Sequence, residues 1–174
     1  GWLAEQAEFG PSALVSAIKQ SSDGTLWVGT FNGLWRQVNL GWQATQEEMG
    51  PIFPGNAFFQ SQDGTFWVET EDGLWYQEGD SWQPIEGFGE GSKGIYESKD
   101  GTLWLGTEDG GLWHHDGNSW QIVPKFSDDE LSAIYETKDG ILWVTTSDWD
   151  AKTDTDTSRL WRQDGNGWQL VHEI

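Results

Sequence analysis

The segment 147–159 carries four acidic side chains at alternating spacing that could bind a metal ion. Asp148, Asp150, Asp154 and Asp156 are spaced along it, and carboxylate oxygens are the ligands that hard cations such as Ca²⁺ prefer. The segment lacks the central glycine and the closing glutamate of the twelve-residue calcium loop. We therefore interpret it as a solvated acidic loop, with these aspartates as weak metal candidates, and we expect no metal or cofactor.

Five side chains are candidate ligand contacts. Trp149, in the same segment, could stack on a sugar ring or anchor a partner chain. The other four stand seven residues before a repeated Asp-Gly pair, at the start of a predicted strand: Ser16, Asn56, Lys93 and Ser132. They are polar and differ from repeat to repeat, which suits residues that line the mouth of a central channel and contact a ligand there. A solvated channel is the alternative interpretation.

Catalytic chemistry has little support in the sequence. Most of the 29 acidic residues lie in repeated turns, where an aspartate caps its own backbone. His114 and His115 are neighbours on a predicted strand, so they point to opposite faces and cannot share one metal in the usual way. No nucleophile triad, zinc-helix motif or phosphate loop is present. We predict that the protein is not an enzyme, with a glycosidase-like or lyase-like activity as a distant third hypothesis.

Composition excludes several classes of partner. The 174 residues include 29 acidic and 9 basic side chains, for a net charge of −20. Binding to nucleic acid or to an anionic membrane needs clustered Lys and Arg, so neither is expected. No stretch approaches the ~18 apolar residues of a membrane helix, so we expect no membrane insertion. A content of 14% aromatic residues is too high for a disordered acidic tail.

The elements that would position these residues come from an internal repeat. Asp-Gly pairs begin at positions 23, 63, 100 and 139, which gives periods of 40, 37 and 39 residues. All 14 tryptophans except Trp149 share this regular spacing. A Phe or Met also recurs 12 to 14 residues before each of these aspartates, at Phe9, Met49, Phe88 and Phe126. That recurrence predicts that the connector packs onto the sheet.

Each repeat reads as four short antiparallel strands, a to d. Asp-Gly between apolar runs predicts a tight hairpin, and Leu26-Trp27-Val28 is aromatic and β-branched, as strands prefer. Four-stranded sheets repeated at about 40 residues are typical of a β-propeller. We predict a single all-β domain over 1–174 with four blades, at about 13–42, 55–82, 92–120 and 130–168, and an extra outer strand around Trp2. The four blades could close a ring, form half of an eight-bladed dimer, or belong to a longer array.

The strand order predicts which rim of the propeller varies. The repeated a–b and c–d turns fall on one rim, and the d–a and b–c connections fall on the other. The longest insertion, 147–159, is predicted to be a b–c loop. Because recognition usually depends on variable loops held by a regular scaffold, we predict that a ligand binds at the d–a/b–c rim.

The repeat resembles a known family. Its core, D-G-T-L-W-V-G-T followed by G-L-W, runs from Asp23 to Trp35 and recurs from Asp100 to Trp113. This pattern is similar to the two-component regulator propeller repeat of periplasmic sensor regions in bacterial hybrid histidine kinases. The resemblance implies a β-propeller in the periplasm or outside the cell that senses a ligand, often a carbohydrate cue. It does not carry over kinase signalling.

Two functions from different classes follow from these observations. The first is a non-enzymatic, sensor-type propeller that binds a small molecule, a glycan or a peptide. The second is a scaffold that binds a protein, including a second copy of itself through ring closure. Repeat units bury their faces only against neighbours, so a piece that does not close would tend to associate.

Overall fold

The computed structural model describes residues 14–45, 58–70, 73–79, 81–85, 87–88, 92–107, 111–127, 129–150, 154–165 and 167–174, with the backbone alone at 92, 93, 149 and 150. Within these ranges the regular structure is β-strand, except for one short 3-10 helix, Pro124–Phe126. None of the described helical structure is long and apolar enough to span a bilayer. The segment around Trp2 and residue Asn56 lie outside the described residues.

The strands form four antiparallel sheets of four consecutive strands. Sheet 1 contains β1 (Val15–Gln20), β2 (Leu26–Thr30), β3 (Gly33–Val38) and β4 (Gly41–Ala44). Sheet 2 contains β5 (Phe58–Gln60), β6 (Phe66–Thr70), β7 (Gly73–Glu78) and β8 (Ser81–Pro84). Sheet 3 contains β9 (Ser92–Glu97), β10 (Leu103–Thr107), β11 (Leu112–His115) and β12 (Trp120–Ile122). Sheet 4 contains β13 (Glu130–Glu136), β14 (Leu142–Asp150), β15 (Thr155–Asp164) and β16 (Gly167–Glu173). The predicted strand content and order of all four repeats are confirmed.

The Asp-Gly turns differ from the two-residue hairpin that the sequence predicts. In sheet 1 the N–H of Gly24 donates to the carbonyl of Ser21, and the N–H of Ser21 donates to the carbonyl of Thr25, both at 2.9 Å. Only the glycine has a positive φ, +88° at Gly24. The loop therefore has three residues, Ser22 to Gly24, and the four-residue turn Ser21–Gly24 ends on a left-handed glycine. The sequence pattern indicated the turn but not its length.

The chain divides into two compact units, Gly1–Glu90 (unit 1) and Gly91–Ile174 (unit 2). In each unit the second-strand tryptophan of the first sheet packs against the fourth-strand tryptophan of the second sheet. Trp27 and Trp82 meet edge to face with ring centroids 6.1 Å apart, and Trp104 and Trp168 do so at 6.2 Å. The regular spacing of the tryptophans thus produces one sheet-to-sheet contact per unit. That the chain is a single domain stays a prediction.

The predicted loop at 147–159 is wrong. β14 and β15 have 9 and 10 residues, more than any other described strand, and they pair from Trp143 opposite Arg162 to Asp150 opposite Thr155. The insertion is therefore an extension of a β-hairpin, whose tip at 151–153 lies outside the described residues. Thr155 and Thr157 alternate with the acids after that tip, and β-branched side chains favour strands. The acidic content of the segment concealed this pattern.

Candidate functional site

Three of the four sequence-predicted mouth residues, Ser16, Lys93 and Ser132, lie at a β-bulge in the first strand of their sheets. Ser16 and Ser132 are the extra residues of bulges in β1 and β13, and the register of β9 shifts in the stretch that includes Lys93. Bulges redirect side chains and are common beside functional sites. The hydroxyl of Ser16 is buried and has no hydrogen-bond partner in the described part of the chain. Ser132 is exposed. Their role as ligand contacts stays a prediction.

The four candidate metal ligands do not form a metal site in the described residues. Asp154 and Asp156 are exposed, and the side chain of Asp150, like that of Trp149, lies outside the description. Across the described ranges, no three His, Asp or Glu side chains are grouped so as to hold an ion. Asp148 instead lies 3.9 Å from the guanidinium of Arg159.

Arg159 is the centre of an ion cluster that the sequence did not reveal. Its Nε donates to Glu173 at 2.7 Å, and its Nη1 lies 3.6 Å from Asp129. The hydrogen bond to Glu173 is the main cause that raises the pKa of Arg159. The cluster joins β15 to the last strand and to the connector before β13. Its geometry indicates that it anchors the long hairpin.

A groove of about 510 Å³ opens in unit 1 between the turns of sheets 1 and 2. Its lining residues are Ser21, Ser22, Asp23, Thr25, Trp27, Arg36, Gln37, Val38, Gln60, Gly64, Phe66 and Gln77. Carboxamides of Gln37 and Gln77 come from the third strands of the two sheets. The rings of Trp27 and Phe66 supply apolar surface, with centroids 4.8 Å apart. This groove lies at the rim of repeated turns and not at the variable rim that the sequence favoured.

The turn at the edge of this groove is held by a buried serine. Ser21 is 7% exposed, and its Oγ lies 2.9 Å from the carbonyl of Thr25 and accepts a hydrogen bond from Trp27 Nε1 at 3.3 Å. The N–H of Thr25 donates to the carboxylate of Asp23 at 2.9 Å. The hydrogen bonds from Ser21 and Thr25 lower the pKa of Asp23 from its ordinary value. This carboxylate therefore stays charged and fixed in place.

The same serine, aspartate and tryptophan arrangement recurs in sheets 2 and 3, which makes it a structural device. In sheet 3 the Ser98 hydroxyl lies 2.7 Å from Asp100 Oδ1, and Trp104 Nε1 donates to Ser98 at 3.2 Å. These contacts explain why the serine precedes the Asp-Gly pair by two residues. The sequence shows the recurrence, but only the structure shows its hydrogen bonds.

We expect this device to make folding sensitive to acid. The Ser98 hydroxyl and the Thr102 N–H lower the pKa of Asp100 from its ordinary value of 3.8. The matching contacts from Ser61 and Thr65 lower the pKa of Asp63. A lowered folded-state pKa stabilises the protein above the unfolded-state pKa, and this contribution disappears as the pH falls through the folded-state value. The free energy of unfolding should therefore fall as the pH drops below about 3.8.

Urea denaturation at a series of pH values between neutral and 2.5 measures this loss. Asp100→Asn should be less stable than the wild type at neutral pH and should lose less stability in acid, because one titrating group is gone. Asp156→Asn, an exposed site on the hairpin, is the matched control and should follow the wild-type slope. Equal acid slopes for Asp100→Asn and the wild type would contradict the assignment.

A hydrogen bond from a backbone N–H to a side-chain oxygen joins the two sheets of each unit next to this device. In unit 1 the N–H of Ser22 donates to Gln60 Oε1 at 2.8 Å. In unit 2 the N–H of Lys99 donates to Glu136 Oε2 at 2.9 Å. Ser22 and Lys99 thus hold the same position, but their side chains differ in length and charge. The ammonium of Lys99 reaches across and donates to the carbonyls of Thr137 and Lys138 at 2.8 and 2.7 Å.

A second concavity, of about 410 Å³ and almost wholly apolar, lies on one face of sheet 4. Its lining residues are Ala133, Tyr135, Thr137, Trp143, Thr145 and Leu160. Trp143 holds the strand position that Trp27 and Trp104 hold in sheets 1 and 3. Those two are 5% and 7% exposed because the next sheet covers them. Trp143 is only half-buried, and Tyr135 beside it is 64% exposed.

Comparison with protein families accounts for the repeat. The family model of the two-component regulator propeller matches residues 10–32, 89–109 and 125–148. The matched segments lie in the first, third and fourth of the repeats that the sequence shows. The match includes the serine, aspartate and tryptophan arrangement of sheets 1 and 3. No curated protein matches the chain.

Solved structures support the propeller fold at low sequence identity. The extracellular domain of BT4673 from B. thetaiotaomicron, described as a one-component system, is 15% identical with a TM-score of 0.59, over 87% of this chain and 26% of that one. The extracellular domain of BT3049, described as a hybrid two-component system of the same organism, is 19% identical with a TM-score of 0.56, over 84% and 23%. Virginiamycin B lyase from Staphylococcus aureus is 15% identical with a TM-score of 0.60, over 92% and 56%. The chain thus spans about a quarter of the first two structures, and the predicted all-β propeller class is confirmed.

Proposed function

We propose that this chain is a non-enzymatic, sensor-type propeller module that acts outside the cytoplasm and binds a small polar molecule in the groove of unit 1. The family repeats and the extracellular origin of two structural neighbours support a sensor role and that location. The likeness to virginiamycin B lyase concerns the fold alone, so it does not favour an enzyme. A glycan or a peptide is the class of ligand that we consider first.

The groove itself is the observation that carries this proposal. Its volume of about 510 Å³ is in the range of small-molecule sites. Carboxamides can both donate and accept hydrogen bonds, so Gln37 and Gln77 suit a ligand with several hydroxyl or amide groups. The rings of Trp27 and Phe66 provide apolar contact. Such a mixture of aromatic surface and few polar groups is typical of ligand pockets.

The test is an NMR titration of the ¹⁵N-labelled chain with a panel of oligosaccharides and short peptides. A compound that binds should shift the amide signals around the groove, and Gln37→Ala with Gln77→Ala should weaken it at least tenfold. Gln163→Ala is the matched control, because Gln163 holds the same strand position in sheet 4. Shifts confined to the region of Ser16 and Ser132 would instead place the ligand at the variable rim, and no binding by the panel would contradict the proposal.

The apolar face of sheet 4 favours a second candidate function, association with a second copy of this chain. Trp143 lies on the face that is covered by a following sheet in sheets 1 and 3. Sheet 1 has the complementary face exposed, with Leu14 and Ile18 each 66% exposed. In sheet 4 the counterpart of Ile18 is Ile134, which packs against the core of unit 2. The first sheet of a second copy therefore offers an apolar face that can cover Trp143.

Tyr135→Lys and Ile18→Lys should each weaken this association, because each puts a charge on one of the two apolar faces. Sedimentation equilibrium over a range of concentrations measures the effect. The wild type should associate, each variant should shift toward monomer, and an equimolar mixture of the two should recover pairs. Recovery is expected because each variant keeps the face that the other has lost. A wild type that stays monomeric at high concentration would contradict the self-association.

A further inference from the structure

The two units differ at one position beside the turn of their second sheet, which is Lys99 in unit 2 and Ser22 in unit 1. In unit 2 the ammonium of Lys99 lies between two backbone carbonyls of the next sheet's turn, Thr137 at 2.8 Å and Lys138 at 2.7 Å. In unit 1 the corresponding residue is Ser22, whose side chain has neither the length nor the charge to do this. Ser22 lines the groove of unit 1 together with Gln60 and Gly64, so this groove borders a turn whose counterpart in unit 2 binds an ammonium group.

The receiving turn is built in the same way in both units. Gly64 donates to the carbonyl of Ser61 at 2.9 Å, as Gly140 donates to that of Thr137 at 3.0 Å. A carbonyl oxygen has two lone pairs, and Thr137 uses one for its glycine and the other for the lysine. Ser61 and Gln62 are the counterparts of Thr137 and Lys138. Gln60 and Gly64, which flank them, line the groove.

We propose that the groove in unit 1 binds the primary ammonium group of a small organic ligand, with the Ser61–Gln62 turn in the role of Thr137–Lys138. This inference rests on the proposed function, because it names the chemical group that the same groove recognises. The ligand's ammonium would take the position in unit 1 that the ammonium of Lys99 takes in unit 2. Its remaining atoms would lie along Gln37 and Gln77.

Charge in and around the groove is compatible with a cation. The titratable side chains that line it are Asp23 and Arg36, so its own charge is balanced. The guanidinium of Arg36 lies 3.4 Å from Gln43 Oε1, on its own sheet. The chain as a whole has a net charge of −20, and such a field concentrates cations near the surface. An anionic ligand would meet the opposite field.

The probe is n-butylammonium, which reproduces the lysine side chain, with n-butanol as its uncharged control. NMR titration should show saturable shifts at the Ser61–Thr65 turn with n-butylammonium and none with n-butanol. Ser22→Lys should lower the affinity more than tenfold, because the new lysine would occupy the site. The same substitution should raise Tm by about 2–4 °C, since it adds charge-assisted hydrogen bonds.

Lys99→Ser provides the reciprocal test in unit 2. It should create a second site, so that n-butylammonium also shifts the Thr137–Ile141 turn. Equal binding of n-butanol, no binding of either probe, or an unchanged affinity in Ser22→Lys would overturn the inference. If the oligosaccharide and peptide panel still binds in the groove, the proposed function survives that failure. If the panel fails as well, both proposals fail together.

Discussion

Replacing Phe126 by alanine is expected to lower the free energy of unfolding of the full chain by about 3–5 kcal/mol. Phe126 ends the 3-10 helix that leads into β13 and is fully buried. Its ring meets those of Trp161 and Trp168 edge to face, with centroids 5.5 and 5.1 Å away. Truncation would leave a cavity between these indoles, and the lining would relax only in part. The Trp161 ring, which Phe126 holds in place, also lies under the ammonium of Lys125, 4.5 Å from its centroid, so this cation–π contact would weaken as well.

Urea denaturation followed by tryptophan fluorescence measures this effect. Phe126→Leu, which keeps most of the volume, should lose clearly less stability than Phe126→Ala. Ile174→Ala is the control in the same unit, because Ile174 is 81% exposed, and it should change the free energy of unfolding by less than about 0.5 kcal/mol. A loss of under about 1 kcal/mol in Phe126→Ala would show that the connector does not complete the core of unit 2.

The role of Phe126 could be predicted from sequence because it depends on recurrence. An apolar residue at this place in four connectors predicts packing onto the sheet, and the burial of Phe126 confirms it for that connector. Phe88 is half-buried, and Phe9 and Met49 lie outside the described residues. The strands and the tryptophan contacts were predictable for the same reason, since each repeat carries the same Asp-Gly pair and the same tryptophan spacing. Four copies of one pattern therefore determine the fold class even where a single copy would be ambiguous.

The groove and the lysine bridge could not be predicted in this way. Ser22 and Gln60 are 38 residues apart, and their contact depends on how one sheet packs on the next. The difference between the two units depends on a single side chain, Lys99 in one and Ser22 in the other. A repeat alignment treats such a difference as ordinary surface variation. The long hairpin was missed for a related reason, since its acids indicated a loop while its cross-strand pairing was not visible.

Close approach of two sheets is the other feature that sequence could not assign, and Gly106 is where it is tightest. A Cβ added at Gly106 in β10 would lie 2.3 Å from Cδ2 and 3.0 Å from Cβ of Leu131 in β13. Leu131 is 1% exposed, so it cannot turn away into solvent. Glu69 and Thr145 hold the same position in sheets 2 and 4. The repeat pattern alone therefore does not show that this glycine is required.

Gly106→Ala should therefore destabilise the chain by about 1–3 kcal/mol, although alanine is better than glycine in a strand interior. Gly167→Ala is the matched control, because its Cβ would come no closer than 3.9 Å to another atom. That variant should be neutral or more stable by about 0.4–1 kcal/mol. In a Leu131→Ala background the cost of Gly106→Ala should shrink, since the clashing methyl groups are gone. Urea denaturation of the four chains gives the coupling, and additive losses would show that the two sheets do not meet at this glycine.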